Sequence, residues 1–331
     1  MAPRVSVLMP YRDAAETLAE AMESVLGERG VDLELIAVDD GSRDEGPVIA
    51  ARIASSDARV VLGASGGSGI AGALDHAAAL AQGELFGRMD ADDVSLPGRL
   101  AAEAALLDRD PTLGVVGTWV SAFPEEATGE GTRRYLDWMN GLVTAADHAR
   151  DLFVESPLCH PSVLMRRAAL ERVGGYREVP WPEDYDLWLR IAAAGYGMAK
   201  VPFHGLRWRQ HPRRATVTDP RYALARFADL KARYLAPRLA RPVAVWGAGK
   251  TGKRLSRALE REGVRTEIFI DIDPRKIGGV ARGAPVVAPG DLPCGRHTVL
   301  VALGARGARE IVRARLASWG LAEGEDFVVA W

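Results

Sequence analysis

The segment Glu84-Leu-Phe-Gly-Arg-Met-Asp-Ala-Asp-Asp93 runs from apolar residues into three acids. Its first part, Glu84–Met89, has the length and composition of a buried strand, so Asp90, Asp92 and Asp93 are predicted to follow the carboxyl end of that strand. Asp90 and Asp92 are two residues apart and project to one face if the extended backbone continues. Two carboxylates on one face can hold Mg²⁺ or Mn²⁺, because these ions favour oxygen ligands and often share them with phosphates.

Two further pairs of acids stand where the sequence predicts a strand to end or a helix to begin. Asp39 and Asp40 follow the apolar strand Leu33–Val38, and Glu183 and Asp184 lie at the start of a predicted helix. Ligands of doubly wound sheets bind outside the carboxyl ends of the strands. Any one of these carboxylates could instead cap a turn or a helix. Three acidic clusters at such positions favour a binding site.

The first 120 residues alternate between strand and helix patterns. Short apolar runs are separated by segments with apolar residues at helical spacing. This alternation is typical of an α/β fold whose strands pair in parallel through right-handed crossovers. The predicted strands are Val5–Met9, Leu33–Val38, Arg59–Leu62 and Glu84–Met89, and the predicted helices between them are 14–26, 47–55 and 74–81.

The alternation breaks and restarts at Leu235–Pro242, a segment with two prolines that is the candidate linker. From Arg241 onward the chain carries 15 Lys and Arg against 10 Asp and Glu, whereas the part before it carries 27 against 34. A change of charge at a proline-containing break predicts two domains, which we place at residues 1–238 and 241–331. The same break predicts that the two halves fold independently.

The second half opens on a predicted strand that leads into a glycine-rich turn and a helix. Gly247, Gly249 and Gly252 match the pattern G-x-G-x-x-G, and Asp271 follows Gly252 by 19 residues at the end of the next predicted strand. In Rossmann-like domains such glycines let the backbone approach a phosphate, and the acid binds ribose. A Rossmann-like domain kept for docking or stability, without a ligand, is the alternative.

Composition excludes several classes of protein. A net charge of −2 gives no support for a nucleic-acid partner. Cys159 and Cys294 are far apart, which excludes a disulfide framework and a zinc ribbon and fits a reducing, cytoplasmic location. The apolar run Val5–Met9 is too short for a signal peptide, and no apolar stretch reaches the roughly 18 residues of a membrane helix. We expect a soluble protein, for which peripheral association is the remaining route to a membrane.

Five short segments occur in a distinctive order and spacing. They are Val5-Ser-Val-Leu-Met-Pro10, Val38-Asp-Asp-Gly-Ser42, Met89-Asp-Ala-Asp-Asp93, His160-Pro-Ser-Val-Leu-Met165 and Pro182-Glu-Asp-Tyr-Asp-Leu-Trp188. Together they resemble glycosyltransferase family 2 over roughly residues 4–222. The resemblance implies the GT-A fold, a mostly parallel sheet flanked by helices. It also implies a metal-dependent, inverting enzyme that moves sugar from a nucleoside diphosphate sugar, with UDP-sugar favoured, to a glycan or glycolipid hydroxyl.

The resemblance assigns roles to the acids of the first half. Asp40 is expected on the base of the donor with Asp39 beside it, and Pro10 is expected in the same donor pocket. Asp90 is expected on ribose or sugar. Asp92 is expected on a Mn²⁺ or Mg²⁺ ion that bridges the diphosphate, where the metal acts as a Lewis acid.

The same resemblance places Asp184 at the catalytic base, the carboxylate that takes the proton of the acceptor hydroxyl. Glu183 beside it and the aromatic face of Trp181 are expected near the acceptor sugar. His211, in Trp208-Arg-Gln-His211, stands in a late family segment whose histidine sometimes reaches the metal. A structural role for His211 is the alternative.

The second half resembles the small Rossmann-like nucleotide-sugar-binding modules found beside sugar-modifying enzymes. Two other functions remain open on the sequence. An NAD(P)-dependent oxidoreductase would use the glycine turn and Asp271, but it leaves the five segments of the first half unexplained. A non-catalytic sugar-nucleotide sensor or scaffold would bind a donor without turnover.

Overall fold

Buried strands form the centre of the fold, and helices cover them. A computed structural model describes residues 2–293 and 295–331, so Cys294 lies outside the described residues, while Cys159 is a buried free thiol. The described residues divide into two compact units. The first comprises the chain up to Ala149 with 157–179 and 183–218, and the second comprises 150–156, 180–182 and 219–331.

The first unit is built on a mixed sheet. Its strands are β1 (Val5–Tyr11), β2 (Leu33–Asp39), β3 (Val60–Ala64), β4 (Leu85–Arg88), β5 (Val94–Ser95), β6 (Leu113–Phe123), β7 (Val163–Arg166) and β8 (Gly197–Arg209). Their order across the sheet is β3-β2-β1-β4-β7-β6-β8-β5. The strands β1 to β4 pair in parallel, as does β6 with β8, whereas β7 runs antiparallel to β4 and β6, and β5 antiparallel to β8. The predicted α/β class is confirmed, whereas the sheet is mixed where a mostly parallel one was expected, because β5 and β7 run antiparallel to their neighbours.

Helices flank this sheet near the positions that hydrophobic spacing predicts, although the first begins at Leu18, four residues later than predicted, and the third at Gly69, five residues earlier. In the first helix, α1 (Leu18–Leu26), the buried residues Leu18, Ala21, Met22 and Val25 form one apolar face against the core. Every residue of β1 is buried, as expected of a strand covered on both faces. The helices up to residue 218 are α1 (Leu18–Leu26), α2 (Gly46–Ser56), α3 (Gly69–Leu80), α4 (Arg99–Arg109), α5 (Glu130–Gly141), α6 (Ala145–Asp151), α7 (Arg167–Arg172), α8 (Glu183–Ala193) and α9 (Ala215–Thr218).

The second unit contains a separate sheet. Its strands are β9 (Val243–Trp246), β10 (Thr266–Ile270), β11 (Val280–Ala281), β12 (Ala284–Val287), β13 (Thr298–Val301) and β14 (Phe327–Val329), and its helices are α10 (Leu224–Leu235), α11 (Lys250–Arg261) and α12 (Ala308–Ser318). The strand order is β11-β12-β10-β9-β13-β14. All neighbouring strands are parallel except the edge pair β11 and β12.

The second unit also takes in residues 150–156, from the middle of the first half. Asp151 is buried and forms an ion pair of 2.7 Å with Arg313 of α12. Lys231 of α10 is fully buried, and its Nζ donates to the carbonyl oxygens of Val154 (2.9 Å) and Ala330 (3.2 Å). The division into domains 1–238 and 241–331 stays a prediction. The contacts of residues 150–156 imply that a chain cut between these domains would lose partners of buried charged groups.

No helix within residues 2–293 and 295–331 is both long enough and apolar enough to cross a membrane.

Candidate active site

Three carboxylates lie together just beyond β4. Asp90, Asp92 and Asp93 each offer an oxygen, and these oxygens lie within 4.8 Å of one another. Asp90 and Asp92 are partly exposed, whereas Asp93 is buried. The sequence predicted this cluster for Asp90 and Asp92 from an extended backbone, but the strand ends at Arg88 and a turn follows. The turn gathers all three acids, so the cluster forms for a different reason and includes Asp93.

The end of β8 holds this acidic turn in place. The backbone N–H of Arg209 donates to Asp93 Oδ1 (2.7 Å), and its Nε donates to the carbonyl oxygen of Asp92 (2.6 Å). Beyond the strand, His211 Nε2 lies 2.8 Å from Asp92 Oδ2. From the other side, Thr17 Oγ1 donates to the carbonyl oxygen of Ala91 (2.9 Å). His211 therefore lies beside the acids, as its predicted role requires.

A buried arginine lies under the cluster. The guanidinium of Arg88 is almost wholly buried and forms an ion pair with Asp90. Burial by itself lowers the pKa of Arg88, but Asp90 foremost and also Tyr176 and Glu183 raise it above its ordinary value. The charge of Arg88 therefore interacts with both Asp90 and Glu183. From the sequence, Asp90 was expected to contact the donor and Glu183 to lie near the acceptor. Sequence reasoning missed Arg88, although an arginine inside a buried strand was a usable signal.

Burial and mutual repulsion act on the carboxylates themselves. Burial raises the pKa of Asp90, Arg88 opposes that shift, and Asp92 adds to it. The pKa of Asp93 is raised well above its usual range by burial and by the charges of Asp90 and Asp92. Like charges held this close disfavour ionisation of one another. A divalent cation would relieve the repulsion.

The cluster fits a hard divalent cation. All three side chains offer oxygen ligands, as Mg²⁺ and Mn²⁺ require. Asp93 Oδ2 is buried, and within the described part of the chain it has no hydrogen-bond partner. A buried acceptor of this kind is costly unless something satisfies it. The imidazole of His211 beside Asp92 adds a fourth possible ligand.

The acids of the predicted donor pocket bind their own loops. Asp40 is buried, and it accepts hydrogen bonds from Ser65 Oγ (2.6 Å) and from the backbone N–H of Gly69 (3.2 Å). Asp39 Oδ1 accepts from the N–H of Ser42 (2.9 Å). Asp40 therefore fixes the glycine-rich segment before α3. Pro10, which is buried in β1 and in register with Val38 of β2, sits in the adjoining strand.

The predicted base lies at the start of α8. Glu183 is buried, and Asp184 is partly exposed and accepts from the N–H of Tyr185 (2.7 Å). The buried thiol of Cys159 lies near both the start of α8 and the acid cluster. Burial raises the pKa of Cys159, and Asp93, Asp90 and Asp184 add to the shift in that order. All three carboxylates therefore lie near one thiol.

The roles of these residues remain predictions, and so does that of Trp181. Trp181 belongs to segment 180–182, which is part of the second unit. The residues brought together within the first unit are the acid cluster, His211 and Asp184.

The glycine turn of the second unit contains Gly247, Gly249 and Gly252. The backbone requires glycine at Gly247 and Gly252, whereas Gly249 has open space around the position of a side chain. Gly247 has φ +119°, and a Cβ on Gly252 would lie 1.8 Å from the carbonyl oxygen of Gly247. A Cβ on Gly249 would meet no atom within 4 Å. Asp271 accepts from the N–H of Ala248 (2.9 Å) and pairs with Lys276 (2.9 Å), so its carboxylate holds the turn.

Comparison with known proteins gives consistent matches for the first half. The family model described as "Glycosyl transferase family 2" matches residues 6–174. EpsE of Bacillus subtilis is 33% identical over 199 residues, which cover 59% of this chain and 68% of EpsE. The amylovoran biosynthesis glycosyltransferase AmsE of Erwinia amylovora is 26% identical over 199 residues, covering 60% of this chain and 72% of AmsE. The structure of S. aureus TarS in complex with UDP-GlcNAc superposes with a TM-score of 0.57 at 15% identity, covering 78% of this chain and 72% of that one, and supports a GT-A-like fold.

Proposed function

The chain belongs to glycosyl transferase family 2 and is a glycosyltransferase, and from this premise we propose a metal-dependent, inverting reaction. The donor is a nucleoside diphosphate sugar, with a UDP-sugar favoured, and the acceptor is a hydroxyl of a glycan or glycolipid. The observation that carries the proposal is the cluster of Asp90, Asp92 and Asp93, which lies near Cys159 together with Asp184. The printed name of AmsE supports a place in polysaccharide or glycoconjugate synthesis.

The chemistry is a single displacement at the anomeric carbon of the donor. The acceptor oxygen forms a bond to that carbon while the bond from the carbon to the diphosphate oxygen breaks. The electron pair of the broken bond stays on the diphosphate, and the proton of the acceptor hydroxyl goes to the Asp184 carboxylate. Attack from the face opposite the leaving group inverts the configuration.

Asp92 would hold the cation, with His211 as a further ligand to it. Mn²⁺ or Mg²⁺ bound there supplies positive charge to the diphosphate as it leaves. Arg88 keeps Asp90 oriented through its ion pair, and Arg209 orients Asp92 through the backbone. The acids are therefore positioned before the donor arrives, which reduces the reorganisation needed during the reaction.

Donor and acceptor contacts follow from the same arrangement. We assign the nucleoside to the end of β1 and β2, with Pro10, Asp39 and Asp40, where Asp40 shapes the glycine-rich segment. Asp90 contacts ribose or sugar. Glu183 and Trp181 are assigned to the acceptor. A cytoplasmic location, with peripheral attachment to a membrane that carries a glycolipid acceptor, accords with this chemistry.

For the second unit we propose a Rossmann-like fold. Without the edge strand β11, the strands lie in the order β12-β10-β9-β13-β14. Numbered by their order along the chain, they read 3-2-1-4-5, an arrangement that places a topological switch point beside β9. The space at Gly249 favours a phosphate-bearing ligand there, bounded by Gly247 and Gly252. To bind ribose, Asp271 would need to give up its contact with Lys276 or with Ala248. These contacts favour a structural role for the Asp271 carboxylate, whereas the sequence pattern alone suggested ribose binding.

Thermal unfolding with ligands separates the three candidate functions. A ligand that binds the folded state raises the unfolding temperature by mass action. We expect UDP-sugars or GDP-sugars with Mn²⁺ to raise it, and the rise to disappear with EDTA. A rise only with NAD⁺ or NADP⁺ would instead favour an oxidoreductase. A nucleotide sugar that binds but is never turned over, even with Asp184 intact, would favour a sensor.

A further inference from the structure

Arg214 stands beside the acid cluster on a short connection between β8 and α9. Its guanidinium carbon lies 4.9 Å from the centroid of the Trp208 ring, in a cation–π arrangement. Its backbone N–H and its Nε each lie 3.4 Å from the carbonyl oxygen of His211. The imidazole of His211 in turn contacts Asp92, with 2.8 Å between Nε2 and Oδ2. His211 therefore links Arg214 to the acid cluster.

Two neighbouring arginines, Arg209 and Arg213, differ from Arg214 in their partners. Arg209 forms an ion pair with Glu20, and Arg213 pairs with Glu16 at 3.5 Å, with its side chain 81% exposed. Within residues 2–293 and 295–331, no carboxylate lies at ion-pair distance from Arg214. A half-buried guanidinium that carries its charge without a paired anion is costly, since burial disfavours the charged form.

We propose that Arg214 binds the diphosphate of the donor and stabilises it as the leaving group. This inference rests on the proposed function and assigns a residue that the family segments do not include. A guanidinium presents several N–H donors in a planar fork, a geometry that suits two phosphate oxygens. When the bond to the anomeric carbon breaks, the electron pair remains on the phosphate oxygen, and Arg214 N–H groups donate to that charge.

The electrostatics agree with an anion that arrives together with a cation. Burial lowers the pKa of Arg214, while Asp92 and Asp93 act in the opposite direction. The guanidinium therefore interacts with the charges of the acid cluster without forming an ion pair with it. A diphosphate bound beside the cluster would give Arg214 an anion to pair with. Stacking on Trp208 positions the guanidinium, and its Nε donates to the carbonyl oxygen of His211, so the terminal Nη groups remain to donate to the ligand.

The test compares binding of a nucleoside with binding of its diphosphate. Isothermal titration calorimetry with Mn²⁺ measures UDP against uridine, and GDP against guanosine, for wild type, Arg214→Ala, Arg214→Lys and Arg213→Ala. Charge-assisted hydrogen bonds are among the stronger polar contacts. We therefore expect Arg214→Ala to weaken the diphosphate at least about tenfold, and to leave the nucleoside unchanged. Arg214→Lys should fall between, and Arg213→Ala should match wild type.

The outcomes separate this inference from the function on which it rests. If wild type binds neither UDP nor GDP, the proposed function is wrong and the inference falls with it. If wild type binds a diphosphate and Arg214→Ala binds it equally well, only the inference is overturned. An equal loss for nucleoside and diphosphate would also overturn it, because that pattern reports a structural role. Should Arg214→Ala unfold, Arg214→Lys with unchanged diphosphate affinity at full stability still refutes the guanidinium contact.

Discussion

Asp92 makes one contact through its side chain and another through its backbone. Its carboxylate meets His211, and its carbonyl oxygen accepts from Arg209 Nε. The carboxylate is the part that can ligate a cation, whereas the carbonyl contact fixes the backbone. A change confined to the carboxylate therefore separates metal binding from folding.

Asp92→Asn is expected to weaken Mn²⁺ binding and to leave the fold intact. Even outer partners of metal ligands cost about 10- to 100-fold in affinity when removed, so losing a ligand should cost at least about 10-fold. Titration of Mn²⁺ followed by electron paramagnetic resonance measures this. Asp108→Asn is the control, since it removes a half-exposed carboxylate that pairs with Arg4 on the surface. Equal Mn²⁺ affinity in both variants would remove Asp92 from the metal site.

Asp184→Asn is expected to slow donor turnover by about 10²-fold or more, the scale of a positioned general base. UDP affinity should stay at the wild-type value, because Asp184 faces the acceptor in the proposed arrangement. Initial rates and calorimetry measure the two effects. Asp186→Asn, two residues along α8, is the matched control: it breaks a buried pair with Arg190 (2.7 Å) and should lower stability. A collapse of UDP affinity in Asp184→Asn would place that residue in the donor pocket.

At the scale of elements, the glycine turn between β9 and α11 separates structural from functional glycines. Gly252→Ala is expected to destabilise the second unit by at least about 2 kcal/mol, because its Cβ would lie 1.8 Å from a carbonyl oxygen. Gly249→Ala should unfold like wild type, since its φ of −85° suits alanine and the space is open. Denaturant unfolding of both variants measures the difference. Equal stability would mean that the turn relaxes freely.

Local patterns were enough to predict the elements that carry the site, but not its contacts. Apolar runs predicted β1, β2 and β4 to within one or two residues, and the acids at their ends followed. The hydrogen bonds from Arg209 to Asp92 and Asp93 join residues more than 110 positions apart, and no local pattern encodes such a pairing. The inclusion of Asp93 escaped prediction for the same reason: it depends on a turn that β8 holds closed.

At the scale of the whole molecule, the contacts of 150–156 alter the expectation of two independent halves. A chain ending at Ala240 lacks Arg313 and Ala330, which leaves the buried groups of Asp151 and Lys231 without these partners. Removing one member of a buried pair costs about 3–5 kcal/mol. We expect residues 1–240 to unfold about 10 °C below the full chain.

Circular dichroism during heating measures this difference, and two full-length variants control for it. Arg313→Met removes one of the ion-pair partners of Asp151 while keeping the sheet, and it should reproduce part of the loss. Glu310 also pairs with Arg313, but its side chain is 66% exposed, so Glu310→Gln should change the unfolding temperature little. A fragment 1–240 that melts with the full chain would establish that the first half is independent.

Metal-dependent inversion is tested most directly by following the anomeric proton of a nucleotide sugar by NMR while water acts as the acceptor. With an α-linked UDP- or GDP-sugar and Mn²⁺, we expect nucleoside diphosphate to be released and the β-anomer of the free sugar to appear first, before it mutarotates. EDTA or Asp92→Asn should stop the release. First appearance of the α-anomer would contradict inversion. Release that continues unchanged in EDTA, or no release from any nucleotide sugar, would contradict metal-dependent transfer at this acid cluster.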